Sequence, residues 1–187
     1  YTALQERYNT ICTVSLITQK SLLRIQSEFE NMLLSASEAE LENARLVIQE
    51  EMASLEKAIT FFEAGGEFTE TFAVNFDGLD TVSHTYRVEA TEARKTIATI
   101  EMRSSLSLLA QALAEYHDFC RRMLNEHGSR EAPSLSAELV LMHKKLTPFF
   151  MRAGEYSNRL YVQSLRDLRR ATDERGRELE IHTASLV

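Results

Sequence analysis

Apolar residues recur along the chain at alternating steps of three and four, the spacing that lays one stripe along a helix. The first run is Leu4, Tyr8, Ile11, Val14, Thr18, Leu22, Ile25, Phe29 and Met32, and it predicts a helix over 2–34. "SASEAE" follows, with Ser37 and Glu40 placed as a capping box, in which hydroxyl and carboxylate reciprocally satisfy backbone N–H groups. The second run is Leu41, Ala44, Ile48, Met52, Leu55, Ile59 and Phe62. It opens a helix expected over 38–74, whose phase slips at Gly65 and Gly66 before Phe68 and Phe72 resume in a new register. A glycine pair ends or kinks a helix. The firmer stop is "NFDGLD", which combines turn chemistry with Asp80 as a new N-cap.

A third helix is expected over 80–126. It carries one stripe of Val82, Tyr86, Ala90, Ala93, Ile97 and Ile100, then a displaced one of Leu106, Leu109, Leu113, Tyr116, Cys120 and Met123. Such a displacement changes supercoiling without stopping a helix. "HGSREAPS" reads as a loop bracketed by Gly128 and Pro133, with Ser134 or Ser136 capping the last helix, over 134–184. Its stripe is Leu135, Leu139, Met142, Leu146, Tyr156, Leu160, Leu165, Leu168 and Leu179, interrupted at Pro148. Proline removes a backbone donor and crowds the preceding turn, so a bend or restart is expected there, with Thr147 as a fresh N-cap. Four long helices joined by short loops predict an all-α fold, an up-down-up-down antiparallel four-helix bundle in one domain. An even number of helices puts both chain ends at one pole.

Composition agrees with helix. The 187 residues include only six glycines, two prolines and no tryptophan. The formal net charge of −7 argues against a nucleic-acid partner, which wants a basic surface. Charge is also uneven: eleven acids stand against Arg45 and Lys57 between Glu38 and Asp80, whereas nine Lys and Arg stand against six acids from Lys144 to Val187. Two solvated helix faces of opposite sign that attract each other account for this. The longest apolar runs fall far short of the roughly 20 residues that cross a bilayer.

Chemistry is sparse. No histidine has a glutamate three positions before it, as a di-metal bundle requires. There is no phosphate loop, nucleophile elbow or zinc spacing, so no metal, cofactor or catalytic residue is assigned and an enzyme is not expected. Cys12 and Cys120 fall near opposite poles of the expected bundle and read as small buried residues. What remains is a set of arginines one position off the apolar stripe: Arg24, Arg94, Arg152 and Arg159, with Tyr156 between the last two. A flanking guanidinium can lay its stem on apolar surface and turn its fork to a carboxylate, from a neighbouring Glu or from a ligand.

The whole chain resembles the extracytoplasmic ligand-binding modules of bacterial chemoreceptors and sensor histidine kinases, of the four-helix-bundle or helical bimodular type. The resemblance lies in the opening "YTALQERYNTI", which starts in mid-helix, in the long final "SNRLYVQSLRDLRRATDERGRELEIHTASLV", and in both ends at one pole. On this reading the chain is a piece of a longer membrane protein, tethered by flanking segments on the periplasmic face of the inner membrane. The resemblance implies a small anion or organic acid as ligand, held by Arg24, Arg94, Arg152, Tyr156 and Arg159, with signalling through the terminal helices. A homodimer is expected, because the apolar stripe continues from Leu165 to Leu179 after its intramolecular partners run out. The alternative is a cytoplasmic helical module that presents a face to partner proteins and takes no small ligand.

Overall fold

The computed structural model describes residues 2–76, 79–89, 95–125 and 132–184. Its elements are helix α1 (Thr2–Leu34), helix α2 (Glu38–Ala64), strands β1 (Gly66–Phe76) and β2 (Leu79–Val88), helix α3 (Ile97–Asn125) and helix α4 (Ala132–Ala184). The protein is thus mostly helical, with one small two-stranded sheet.

The first turn of α2 forms as its sequence dictates. Ser37 is extended and accepts from the Glu40 amide at 3.2 Å, while the Glu40 carboxylate accepts from the Ala36 amide at 2.8 Å. The other end of α2 departs from expectation. The helix stops at Ala64 and does not continue to 74, because Gly65 takes a φ of 72° and closes the last turn with its amide on the Phe61 carbonyl at 2.9 Å. Gly66 follows with a φ of 99°. Two successive residues in conformations that side chains disfavour redirect the chain into a strand.

The expected start of a third helix at 80 is likewise overturned: residues 79–88 are β2, paired antiparallel with β1 from Gly66 opposite Val88 to Phe76 opposite Leu79. The register is irregular between Ala73 and Phe76. β-Branched and aromatic residues dominate both strands, and they fit a pleated surface better than a helix. Thr69 meets Thr85 at 2.9 Å and Thr71 meets Ser83 at 3.0 Å on the exposed face. On the opposite face, Phe68 and Tyr86 pack together, and Phe68 reaches Phe61 of α2 with ring centroids 6.0 Å apart. Lys20 of α1 pairs with Glu70 at 3.1 Å. With the true start of α3 at Ile97, the first stripe assigned to this segment dissolves: Val82, Ile97 and Ile100 are all exposed. Thr96 and Thr99 cap α3 reciprocally, each hydroxyl accepting from the other's amide.

The core stripes of α1 and α2 and the second stripe of α3 are buried as expected, from Val14 through Met32, Leu41 through Phe62, and Leu106 through Cys120. Cys12 and Cys120 are both buried free thiols. Helix α1 packs on α2 and α4, and α3 packs on α2 and α4. The pairing runs in opposite order along each contact: Arg121 meets Glu38 whereas Arg103 meets Glu56 and Glu63; Glu115 meets Lys145 whereas Arg122 meets Glu138. The acidic α2 pairs with Arg24 of α1, with Arg103 and Arg121 of α3 and with its own Arg45, and among the described residues no ion pair joins it to the basic last helix.

Helix α4 runs without a break through Pro148. Thr147 is not an N-cap; its hydroxyl bonds back to the His143 carbonyl at 2.9 Å. Pro148 is exposed, so the carbonyl it leaves without an amide partner is open to water, which makes an interior proline tolerable. Of the loop expected over 127–134, residues up to 131 lie outside the described residues, and α4 already begins at Ala132, so Ser134 and Ser136 lie inside the helix and do not cap it.

Candidate functional site

Helix α1 and helix α4 meet along a seam of small hydroxyl residues. Thr18 and Ser157 face each other at 2.7 Å between their oxygens, and both also reach the Ser15 carbonyl, at 2.6 and 3.2 Å. Two hydroxyl protons serve these three contacts, so one hydroxyl donates to the carbonyl while the other donates to its neighbour. All three residues are buried. The helices are thus held by a polar joint in the middle of an apolar interface.

Beside that joint the α1–α4 face opens into a groove of two compartments. The larger, about 340 Å³, lies where Gln26, Phe29 and Glu30 of α1, Tyr116 of α3, and His143, Leu146, Thr147, Phe150 and Met151 of α4 converge. The second, about 270 Å³, shares Gln26 and Phe150 with it and continues over Leu22, Leu23, Gly154 and Asn158. A separate cavity at the end of the helices, lined in part by Arg7, Tyr8, Thr96, Gln163 and Asp167, is only about 90 Å³. Ligand sites usually begin near 300 Å³; a hollow of about 320 Å³ between α2 and α3, at Glu42, Arg45 and His117, also reaches that size, and the groove exceeds it because its two compartments adjoin.

Aromatic packing builds its wall. Phe29 stands edge-on to Tyr116 at 5.2 Å and to Phe150 at 5.9 Å, and Phe149 backs Phe150 at 5.0 Å. Tyr116 is 1 % exposed, yet its hydroxyl has no hydrogen-bond partner among the described residues. Burial pushes its phenol well above the usual range, with further contributions from Cys120 and the Glu30 carboxylate. The Tyr116 oxygen is not among the enclosed unpartnered atoms, so the hydroxyl opens to the groove while the ring stays buried.

Of the five residues expected from the sequence, the four that are described do not share one pocket. Arg24 turns to α2 and pairs with Glu51 at 2.8 Å. Arg159 pairs with Glu155 one turn earlier on its own helix and lies over the Tyr156 ring at 5.7 Å. Arg152 is exposed with no ion pair among the described residues, and Arg94 lies outside the described residues. The structure brings together Tyr156 and Arg159 only. Glu30, Tyr116 and Phe150 were missed, although Glu30 stands one position off the stripe beside Phe29 just as Arg24 does beside Ile25. A flanking carboxylate is the same sequence signal as a flanking guanidinium, with the opposite sign.

Among the described residues there is no cluster of metal-ligating side chains, and no helix is long and apolar enough to cross a membrane. The chain matches no protein-family model, and no curated protein or solved structure is detectably similar to it.

Proposed function

We propose that the chain is the ligand-binding module of a bacterial transmembrane receptor, a chemoreceptor or sensor histidine kinase, built as an up-down-up-down four-helix bundle with a hairpin inserted between its second and third helices. The opposite-order pairing along the α2–α3 and α3–α4 contacts supports the bundle. The observation that carries the functional reading is the position of the groove. It lies between the first and last helices, next to the Thr18–Ser157 joint, so a ligand seated there contacts both elements that would lead toward a membrane. Binding favours whichever α1–α4 arrangement fits the ligand, and the shift is read out at the helix ends.

In this reading the module stands on the periplasmic face of the inner membrane and works as a homodimer, with exposed apolar residues such as Leu165 and Ile181 on α4 covered by a second copy. An organic-acid ligand would have to use Arg152 and Arg159 on the outer side of α4. The test is a thermal-shift screen of amines, amino acids, organic acids and inorganic anions, since a saturable ligand raises the melting temperature by mass action. Hits are then applied to the full-length receptor, whose output must change. If no small molecule shifts the transition, the protein-interaction module is the better reading.

A further inference from the structure

We infer that the α1–α4 groove is a site for an organic cation with an apolar body, an arylalkyl or alkyl ammonium compound, whose charged head lies at Glu30 and whose tail runs toward Leu22 and Gly154. The sign of the charge follows from what lines the groove. Among the described residues no lysine or arginine borders either compartment, and Glu30 is the one carboxylate there. That carboxylate makes no ion pair or hydrogen bond among the described residues. The net charge of −7 adds a field that draws cations and repels anions.

Shape and polarity fix the rest of the ligand. Aromatic faces beside a carboxylate attract an ammonium group through the ring quadrupole as well as through the full charge. Phe150, half-buried, supplies the accessible ring at one end, backed by the buried rings of Phe29 and Tyr116, and the Tyr116 hydroxyl, which is not enclosed although its ring is, offers a hydrogen bond that no described residue takes up. The second compartment is lined by Leu22, Leu23 and Phe150 with the amides of Gln19, Gln26 and Asn158 at its margins, and the glycine at 154 leaves it open: a Cβ there would meet nothing within 4 Å. A few polar groups at one end and apolar walls along the other are what orient a small amphiphilic molecule.

The inference deepens the sensor reading, but binding itself is measured on the isolated chain. Phenethylamine is titrated by calorimetry and by the methyl resonance of Met151, alongside hydrocinnamate as an anionic counterpart and phenethyl alcohol as a neutral one. Saturable binding of the amine is expected, with the two counterparts at least about tenfold weaker, the usual size of a charge-assisted contact. Glu30→Gln, an exposed substitution that leaves the core alone, is expected to weaken the amine about tenfold. Tyr116→Phe keeps the ring packing and removes an unpartnered hydroxyl, so it is expected to weaken binding several-fold while leaving the melting temperature unchanged or raised. Absence of saturable amine binding, equal binding of hydrocinnamate, or an unchanged affinity in Glu30→Gln overturns the assignment. If the amine binds with these dependences while the output of the full-length receptor ignores it, the site stands and the sensor reading fails.

Discussion

At the residue scale, Cys120 shows how burial becomes a measurable chemistry. Its thiol is 3 % exposed and burial pushes its pKa from 9.0 up to about 12, with Cys12 shifted in the same direction for the same reason. A group whose folded-state pKa is raised stabilises the fold fully below its unfolded value, and that contribution is lost as pH rises toward the folded value. Between pH 9 and about 12 the unfolded state therefore releases a proton that the native state keeps. Stability is expected to fall by up to about 1.4 kcal/mol per pH unit for this group. Urea unfolding at stepped alkaline pH, with Cys120→Ala as reference, checks the slope; an equal slope in the variant removes Cys120 as its cause. The charged pairs behave differently. Arg103 joins both Glu56 and Glu63 from α3, and the second Glu63 oxygen is buried without a partner among the described residues. Arg103→Ala leaves that carboxylate uncompensated and is expected to cost about 1–2 kcal/mol, discounted for the half-exposed guanidinium. Adding Glu63→Gln to it should recover most of the loss in the same unfolding assay.

At the element scale, the proline and glycine of α4 lie on a helix that continues through both. Gly154 has open space where a Cβ would stand, so Gly154→Ala should add about 1 kcal/mol of stability through helix propensity alone. Pro148→Ala restores an amide to the Lys144 carbonyl and is expected to stabilise by about 1–3 kcal/mol. Thermal melts of the two variants decide this, and a loss in Pro148→Ala would mean that the surrounding side chains are fitted to a distorted helix. The same contrast shows what was readable in the sequence. The stripes of α1 and α2 were legible because each keeps one phase along its length although two neighbouring helices cover it, and Ser37 with Glu40 marked the start of α2. The hairpin was hidden by a coincidence of spacing: Phe68 and Phe72, then Val82 and Tyr86, fall four apart, which suits a helix and is equally two steps of a strand's alternation. The discriminating signal was composition, since threonines, valines and aromatics crowd both sides of the Asp77–Gly78 dipeptide, a strong hairpin signature. The groove was illegible for another reason. Its walls come from three helices, and a side chain such as Tyr116 reads as core on its own helix; only the packing of α1, α3 and α4 leaves its hydroxyl without a partner.

At the scale of the whole molecule, the question is whether α1 and α4 can be locked without losing the fold. The Thr18 and Ser157 oxygens are 2.7 Å apart, which brings their β-carbons close to the separation of about 3.8 Å that a disulfide spans. A Thr18→Cys, Ser157→Cys pair is therefore placed to form a disulfide as the chain folds in the presence of oxidant, with Cys12 and Cys120 replaced by alanine so that the native thiols cannot compete. The new bond closes a loop spanning 139 positions, for which chain entropy gives about 5 kcal/mol of stabilisation. Loss of the α1–α4 hydroxyl joint offsets part of it, since the sulfurs replace three hydrogen-bond contacts with weaker ones. The expected result is a higher melting temperature in the oxidised form than in the reduced one. Failure to form the bond would show that the two helices do not share this register, and the bundle topology would fall with it. On the proposed sensor reading, the oxidised pair in the full-length protein should hold output fixed whether or not ligand is present, while the isolated oxidised chain still binds, because the groove lies beside the joint and shares none of its residues. An output that still responds to ligand after oxidation would mean that the signal does not pass through relative motion of α1 and α4.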